Sequence, residues 1–401
     1  MDQTSKYPQL CDTTTCTGCG ACSNACGFHA VAMEPDPTEG FYRPTVDRER
    51  CIGCMRCVKA CPVLSPLQAH PESDAVYAAW HRDAEIRRNS SSGGAFSALA
   101  QAVLDEGGAV IGAAYAEGLH LRHVVITEPK DLPRLRASKY MQSETGTVFR
   151  QALRLLQEGR KVLFCGTPCQ AAGLRAFLGA KAYGNLILVD FICHGVPSPL
   201  FFRSYLKWLS ERYGTLADFR FRDKTRGWYD SLRVAKAEKS SIMKGKDDCY
   251  WVAFNNNDNN LQEICYNCKF LGTKRNADIT ISDFWGIGRR IPFGHKQEIE
   301  KGISMVMVNT PAGADIFERA KRYLSYERRT LEEVVPGNQA MIHSSARPDS
   351  RGRFYVDLGA MTFDDFLDKY LIPDRKTRLV KIFREYMPTP LVAFIRTMRQ
   401  K

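Results

Sequence analysis

The sequence lacks several features that would assign it to common protein classes. No stretch of its 401 residues approaches the roughly 18 continuous apolar residues of a membrane-spanning helix. The opening residues, MDQTSKYPQL, hold no apolar run of the signal-peptide type, which favours a cytoplasmic protein. No G-x-G-x-x-G fingerprint follows a predicted strand, so nicotinamide binding has no direct support.

Cysteine, by contrast, is abundant, with 15 residues. Disulfides are disfavoured in a reducing compartment, so metal or cluster binding is the favoured explanation. Residues 16–26 and 51–62 share the C-x2-C-x2-C-x3-C spacing, typical of a module with two [4Fe–4S] clusters in which the fourth cysteine of each run ligates the other cluster. The two predicted ligand sets are Cys16, Cys19, Cys22 and Cys61, and Cys51, Cys54, Cys57 and Cys26.

Zinc is the alternative for these cysteines. Zinc sites usually pair two C-x2-C units, not a triplet followed by a fourth cysteine.

Gly27 stands where the first run of two-cluster modules commonly has proline, which predicts a local change in the turn. We expect a small ferredoxin-like domain over residues 8–65 and a proline-rich linker over residues 66–75.

The formal net charge of +12 must be considered together with these sites. A [4Fe–4S]²⁺ core with four thiolates carries a charge of −2, so three such sites and a flavin diphosphate would lower the net charge to about +4. The basic excess is therefore partly compensation for anionic cofactors. Nucleic-acid binding, which depends on clustered surplus positive charge, is disfavoured.

From Val76 onward, apolar runs alternate with amphipathic stretches, which indicates an α/β domain over residues 76–310. The predicted strands are VYAAW, AVIGAAYA, KVLFCG, LILVDFICHG, DITISDFWG and ISMVMVNT. Helices are predicted over residues 94–104, 147–158 and 199–213.

Residues 311–401 match no motif, and we expect a mostly helical extension with a basic amphipathic stretch over 374–386 and a last helix over 391–399. This region is a candidate contact with a membrane surface or a partner, although a solvated helix packed on the domain is the simpler expectation.

Residues capable of chemistry cluster where predicted strands end. KVLFC runs into GTPCQ, LILVDFI runs into CHG, and DITIS runs into DFWG. Ligands of open α/β sheets bind outside the carboxyl ends of strands, so these loops suggest one shared site.

Two further motifs are ambiguous on their own. The SSSGGAF segment opens a helix and could cradle a flavin or nucleotide phosphate, or it could be an ordinary serine N-cap with a flexible glycine pair. Cys265 and Cys268 form a single C-x2-C pair. With Cys169 and Cys193 they would complete a four-thiolate set, or all four could be unrelated buried thiols.

The ordered set SSGGAF, SKYMQS, GTPCQ, CHGVPS, CYNCKF and DITISDFWG strongly resembles the coenzyme F-420 hydrogenase/dehydrogenase beta-subunit family over roughly residues 10–310. The cysteine-rich region resembles the ferredoxin module joined to that core in many members. The resemblance implies an iron–sulfur flavoprotein that binds FAD. It also implies a third cluster on Cys169, Cys193, Cys265 and Cys268.

By the same resemblance, the flavin diphosphate is held by the Ser-Gly loop, and the SKYMQS and GTP segments line the flavin site. The implied cofactor-binding residues are Ser91, Ser92, Gly93, Gly94, Lys139, Tyr140, Gln142, Ser143, Gly166, Thr167 and Pro168. Lys139 could offset phosphate charge or stabilise an anionic reduced flavin, or be a surface lysine. His194 could pass a proton to the flavin or simply bond a carbonyl.

Asp283 and Trp285 could shape the substrate mouth, or cap the loop and pack. Cys165 ends a buried strand and is taken as structural, while Cys11 and Cys249 have no assigned role.

The favoured function is an iron–sulfur flavoprotein oxidoreductase that exchanges two electrons with a small carrier or substrate and single electrons through its clusters. The alternative is a non-catalytic electron-transfer subunit that docks on a separate redox enzyme. A partner protein or small electron carrier is expected in either case, and neither the donor nor the acceptor is specified by the sequence.

Overall fold

The computed structural model describes residues 6–179, 183–238 and 240–371. The helices expected over 374–386 and 391–399, with the contact proposed for them, lie outside the described residues. Within the described ranges, no helix is long and apolar enough to cross a membrane.

The cysteine-rich segment folds as a small pseudo-symmetric module of two short helices and one hairpin. Strand β1 pairs with strand β2 in antiparallel register, Val31 opposite Val46. Each helix begins inside a cysteine run after a residue with positive φ, Gly20 (φ 77) or Met55 (φ 58). The elements are α1 (Ala21–Ala25), β1 (Val31–Pro35), β2 (Tyr42–Val46) and α2 (Arg56–Lys59).

The rest of the chain is organised around an eight-stranded mixed sheet in the order β13-β3-β12-β11-β7-β6-β4-β5. Its central strands β4, β6, β7 and β11 are parallel, and antiparallel strands complete both sides. The strands of this sheet are β3 (Val76–His81), β4 (Ala109–Tyr115), β5 (Leu121–Ile126), β6 (Val162–Cys165), β7 (Leu186–Phe191), β11 (Ile279–Asp283), β12 (Ser304–Val308) and β13 (Leu324–Arg329). The six predicted strands are all present.

Helices cover both faces of the sheet because successive side chains of a buried strand point to opposite sides. Val110 and Leu163 pack in one core cluster, while their chain neighbours Ile111 and Phe164 pack in another. The first cluster includes α4 and α9, and the second includes α5 and α6. The helices are α3 (Ala84–Arg88), α4 (Ala95–Leu104), α5 (Val148–Gln157), α6 (Pro168–Leu178), α7 (Pro199–Tyr213), α8 (Cys249–Trp251), α9 (Pro311–Ala320), α10 (Leu331–Val334), α11 (Arg351–Ala360) and α12 (Phe363–Tyr370).

The three predicted helices correspond to α4, α5 and α7. The Ser198 hydroxyl caps α7 by accepting the amide of Phe201, with Pro199 at the first helical position, as its sequence predicts.

A second, three-stranded antiparallel sheet stands beside the large one, and the sequence analysis did not predict it. It consists of β8 (Leu216–Asp223), β9 (Leu232–Ala237) and β10 (Ser241–Lys244). Phe219 and Phe221 point into an aromatic core shared with α7, α11 and α12. The alternating FRFRD segment is the signal that was missed, since such a period is typical of a half-buried strand.

Packing continues past residue 310, where the sequence analysis expects a separate helical extension. Residues 311–320 do form α9, which packs on α4. Residues 324–329, however, form β13, which extends the large sheet by pairing with β3. The described part of residues 311–371 is therefore integral to the α/β domain.

The cysteine-rich module is joined to the α/β domain through polar contacts at its helix α1. The Arg150 guanidinium donates to the carbonyl oxygens of Ser23 (2.9 Å), Asn24 (2.7 Å) and Cys26 (2.6 Å). These carbonyls lie at the end of α1, where Ser23 and Cys26 otherwise accept only long backbone bonds of 3.3 Å, so the arginine acts as an external C-cap.

Candidate functional site

Two small cavities lie inside the cysteine-rich module, each lined by cysteines from both runs. One is lined by Cys16, Cys19, Cys22 and Cys61, together with Cys11. The other is lined by Cys26, Cys51, Cys54 and Cys57. The fold therefore groups the thiols in the interleaved sets that the spacing predicts.

The loops around these thiols supply backbone donors as well. The amide of Gly18 lies 3.3 Å from Cys16 Sγ, and the amide of Ala30 lies 3.2 Å from Cys26 Sγ. Gly18 has φ +66, and a Cβ there would lie 2.0 Å from Gln142 Nε2, so only glycine fits this turn. N–H groups directed at sulfur stabilise thiolates, as cluster ligation requires.

Cys11 received no role from the sequence, but the structure places it beside the first thiol set. Its Sγ lies 3.7 Å from Cys61 Sγ. Cys11 and Cys61 therefore form a matched pair for testing the ligand assignment.

We expect Cys61→Ala to lower the iron content of the reconstituted protein by about four atoms per chain, because the first cluster loses its fourth thiolate. Cys11→Ala should leave the iron content unchanged, since four other cysteines remain at that cavity. Iron and acid-labile sulfide analysis of both variants checks the assignment. Iron loss in Cys11→Ala with retention in Cys61→Ala would show that the two residues have the opposite roles.

A third group of thiols forms where strands β6 and β7 end. Cys169 lies in the first turn of α6, Cys193 follows β7, and Cys265 and Cys268 come from the loop before β11. Burial and the neighbouring thiols Cys193 and Cys268 raise the pKa of Cys169 to about 12. Burial, with Cys169 and Cys268 nearby, likewise raises the pKa of Cys265 to about 12. These mutual effects show that the four side chains are near neighbours.

Cys165 lies only four residues before Cys169 and, like it, lines the large cavity at these strand ends. Burial and the Asp190 carboxylate raise the pKa of the Cys165 thiol to about 12, and its carbonyl oxygen lies 3.2 Å from His123 Nε2. It also packs against the core, and its structural role stays a prediction.

The donor chemistry of all three thiol groups fits [4Fe–4S] clusters. Buried thiols pay a desolvation cost on ionisation, which a bound metal cluster offsets. Among the described residues, no three Cys, His, Asp or Glu side chains converge on a point as the ligands of one metal ion do. The cysteines of a four-iron cube each bind a different iron, so they surround a volume instead.

The first and third thiol groups are adjacent. A Cβ on Gly173 of α6 would lie 3.0 Å from Cys19 Sγ, which places α6 directly against the first group. Cys169 contributes to raising the pKa of Cys19. In space, the first thiol group therefore lies between the third group and the second. The second group contains Cys54, the only exposed cysteine of the described chain.

A cavity of about 590 Å³ opens beside the third thiol group, at the carboxyl ends of β6, β7 and β11. Cys169, Cys193, His194 and Asp283 all line it, so the strand-end loops do meet at one site. Its size is typical of a site for a cofactor or a drug-sized ligand. Thr17 of the first cluster loop also lines it, which brings that loop to the cavity wall.

The Ser-Gly loop forms one wall of this cavity at the start of α4. Gly94, at φ +93, takes the N-cap position, and no side chain caps the helix. The hydroxyls of Ser90 and Ser92 bond other carbonyls, and Ser91 Oγ accepts the amide of Ser138. The loop therefore forms no ordinary serine N-cap. The Ala95 amide makes a long contact, 3.5 Å, with Ser304 Oγ, and the next amides of α4, those of Phe96 and Ser97, remain available to an anion.

Gly93 does not line the cavity but makes the loop possible. A Cβ on Gly93 would lie 2.3 Å from the Ala79 carbonyl oxygen and 2.6 Å from the Ser304 amide nitrogen. Pro168, the first residue of α6, does not line the cavity either. The other nine residues of the predicted flavin site line the cavity.

Lys139 and Gln142 also line the cavity. The Lys139 ammonium donates to the carbonyl oxygens of Leu135, Arg136 and Ala137, at 3.4, 2.8 and 3.2 Å, so it stabilises that turn. Burial lowers the pKa of Lys139 to about 8. Gln142 accepts the Tyr42 amide at 2.7 Å, and its buried Nε2 has no hydrogen-bond partner and lies against Gly18 of the first cluster loop.

His194 is half-buried beside Phe254 and is oriented by a carboxylate. Its Nε2 lies 2.6 Å from Asp258 Oδ1. This contact leaves Nδ1 as the ring nitrogen available to a bound molecule. Asp258 lies in the segment after α8, far from His194 along the chain, so no spacing pattern predicts this pair.

Asp283 and Trp285 both line the cavity, and both also make the packing contacts that the sequence left as the alternative. Asp283 accepts from Arg222 Nη1 at 3.0 Å and from Trp228 Nε1 at 2.6 Å. Trp285 stacks on Trp228 with ring centroids 4.8 Å apart. The three-stranded sheet thus contributes cavity residues that sequence reasoning missed, among them Arg222 and Arg233.

His123 is a buried histidine at the cavity wall, with Nδ1 2.9 Å from Ser143 Oγ. Burial lowers its pKa from 6.5 to about 4. Between those two values the unfolded chain binds a proton that the folded protein does not, so stability is complete above pH 6.5 and falls as the pH is lowered. We expect acidification from pH 7 to pH 5 to cost about 2 kcal/mol more in the wild type than in His123→Gln.

Anaerobic chemical denaturation at both pH values measures this difference. His120→Gln is the control, because His120 is partly exposed and pairs with Glu144 at 3.0 Å. An equal pH dependence of wild type and His123→Gln would contradict a neutral buried His123.

Comparison with protein families agrees with this geometry. Residues 15–64 match the 4Fe-4S dicluster domain, and residues 43–101 match a second model of that description. Fold and site therefore define an iron–sulfur protein in which a dicluster module is joined to a mixed α/β domain.

Residues 76–150 match the N-terminal domain, and residues 159–333 the C-terminal domain, of the coenzyme F420 hydrogenase/dehydrogenase beta subunit. The chain belongs to this family, which confirms the resemblance found in the motifs.

Similarity to individual curated proteins is confined to short segments. The chain is 33% identical over 69 residues to an uncharacterised polyferredoxin-like protein of Methanocaldococcus jannaschii, covering 16% of this chain and 41% of that protein. It is 29% identical over 72 residues to Ferredoxin-3 of Nostoc sp., covering 15% of this chain and 74% of that protein.

Among solved structures, a chain of the F420-reducing [NiFe] hydrogenase complex from Methanosarcina barkeri aligns with a TM-score of 0.45 and 18% identity. The alignment covers 75% of this chain and 95% of that chain. No property is transferred from so distant a likeness.

Proposed function

We propose that this protein is a flavin-dependent iron–sulfur oxidoreductase, with FAD in the large cavity and [4Fe–4S] clusters on the three thiol groups. The observation that carries the proposal is spatial continuity. The cavity adjoins the third thiol group through Cys169 and Cys193, and that group adjoins the first through Cys19.

The cavity walls fit a flavin dinucleotide. The amides of Phe96 and Ser97 at the start of α4 and the Arg136 guanidinium, which donates to Ser97 Oγ at 3.2 Å, suit a diphosphate. Bound there, a flavin supplies the conversion between two-electron and one-electron transfer, and the clusters supply one-electron transfer.

The protein's own residues then have three tasks. The Ser-Gly loop and the segment 138–143 position the cofactor. His194, oriented by Asp258, holds or moves a proton at Nδ1. Cys169, Cys193, Cys265 and Cys268 provide the junction to the ferredoxin-like module, whose exposed Cys54 lies at its outer end.

Anaerobic reconstitution of the purified full chain tests the proposal. We expect about twelve irons per chain and one bound flavin, with a flavin absorption band that bleaches on reduction. Intact clusters without any flavin binding would contradict it.

A non-catalytic electron-transfer subunit is the second candidate, and one surface favours it. Phe28 (50% exposed) and Ile52 (56% exposed) flank the second thiol group, and Leu64 (41% exposed) lies at the end of the module. Exposed apolar side chains around a redox centre suit transient docking of another protein. Turnover of reduced carriers by the isolated chain favours the oxidoreductase, and turnover only after addition of a partner enzyme favours the subunit.

A further inference from the structure

The large cavity is lined by many more basic than acidic side chains. Five are basic and only Asp283 is acidic; the basic residues are Arg136, Lys139, Arg222, Arg233 and Lys246. Arg222 pairs with Asp283 at 3.0 Å, so the single carboxylate is already neutralised. Arg136 and Lys139 belong to the wall near α4, where the flavin diphosphate is proposed.

Arg233 is the unusual member of this set. It is 1% exposed, and its Nε has no hydrogen-bond partner. Nη2 makes one long bond, 3.4 Å, to the Lys244 carbonyl oxygen, and the guanidinium lies 4.7 Å from the centre of the Trp251 ring. No described carboxylate lies within 4.0 Å of its nitrogens.

Asp248 offsets part of this charge without forming a close ion pair with Arg233. Its oxygens accept from the Tyr205 hydroxyl at 2.6 Å and the Trp251 amide at 3.0 Å. Arg222, on the neighbouring strand, adds a second positive charge. A buried guanidinium without a close counter-ion is costly, and a bound anion removes that cost.

We propose that Arg233, flanked by Arg222 and Trp251, forms an anion subsite of the cavity that binds a carboxylate or phosphate group of the molecule exchanging electrons there. That this molecule is a substrate rests on the proposed function. It lies on the three-stranded sheet, whereas the flavin diphosphate is assigned to the start of α4. Arg222 Nε donates to Ser231 Oγ at 2.9 Å, which fixes the flanking arginine in place. The substrate is thereby restricted to anions, since a neutral molecule would leave Arg233 uncompensated.

Calorimetric titration of the full chain with inorganic phosphate and, separately, with malonate tests the subsite and distinguishes the two chemistries. Flavin-loaded and flavin-free protein are both titrated, so that failure of flavin binding does not obscure anion binding. The variant is Arg233→Met, which keeps the length of the side chain without its charge. The control is Arg220→Met, because Arg220 lies on β8, pairs with Asp218 at 3.4 Å and does not line the cavity.

We expect at least one of the two anions to bind the wild type and the Arg220→Met protein, with affinity reduced about tenfold or more in Arg233→Met. The same anion should raise the unfolding temperature of the wild type but not that of Arg233→Met. Without anion, Arg233→Met should be as stable as the wild type or more so, which a purely structural arginine would not allow.

Three results would overturn the proposal. They are absence of anion binding in the wild type, equal binding in Arg233→Met, and loss of flavin from Arg233→Met with anion binding retained. The last would assign Arg233 to the flavin phosphates.

Discussion

Replacing Cys169 with alanine should lower the iron content from about twelve to about eight atoms per chain and stop electron transfer between the large cavity and the ferredoxin-like module. Cys169 lines the cavity and neighbours Cys19 of the first thiol group. Among the described thiols, it is therefore the junction between the cavity and the ferredoxin-like module. The flavin should still bind, because the Ser-Gly loop and the segment 138–143 are untouched. Iron analysis, flavin content and the rate of cluster reduction after rapid mixing with a reduced carrier measure the three effects.

Cys165→Ala is the matched control for this experiment. Cys165 ends β6 four residues earlier, packs against the core and also lines the cavity. Its removal should leave the iron content unchanged. Retention of twelve irons by Cys169→Ala, or equal iron loss in both variants, would disprove the third cluster assignment.

Replacing Arg351 with alanine should destabilise the protein by about 3 kcal/mol, because Glu39 would then remain without its buried counter-ion, while Glu263 would keep its contact with Arg347 at 2.6 Å. Arg351 is 2% exposed. It pairs with Glu39 of the cysteine-rich module at 2.7 and 2.9 Å and with Glu263 at 2.9 Å, and it also donates to the Leu261 carbonyl oxygen. Since Glu263 precedes Cys265, the arginine ties the module to the loop of the third thiol group.

Anaerobic denaturation of the cluster-loaded protein, followed by circular dichroism, measures this effect. Arg353→Ala on the same helix is the control, because that side chain is 74% exposed and makes only a 3.7 Å contact with Asp357. It should leave the midpoint nearly unchanged. Equal midpoints for Arg351→Ala and the wild type would show that the buried pairs contribute no net stability.

Local patterns predicted the elements that lie at the centre of the fold. Strands β6, β7 and β11 are short apolar runs bounded by turn residues, and helices α4, α5 and α7 are marked by caps and amphipathic spacing, so each carries its own signal. The hairpin of the module and strands β8 to β10 were missed because they lack the continuous apolar runs that mark the predicted strands, although β8 carries the alternation of a half-buried strand. β13, with its charged LSYERR sequence, is a strand because β3 offers an edge to pair with, which no local pattern reveals.

Spacing along the chain was enough to predict the local groups of residues. The two C-x2-C-x2-C-x3-C runs, the Ser-Gly loop and the strand-end loops each place their residues within a few positions, and short segments have few ways to fold. Contacts between distant segments became visible with the fold. It grouped Cys169 and Cys193 with Cys265 and Cys268, set Asp258 against His194, and left Arg233 buried without a counter-ion. These contacts join residues far apart in the chain, so the packing of the sheets and helices, and not any local propensity, brings them together.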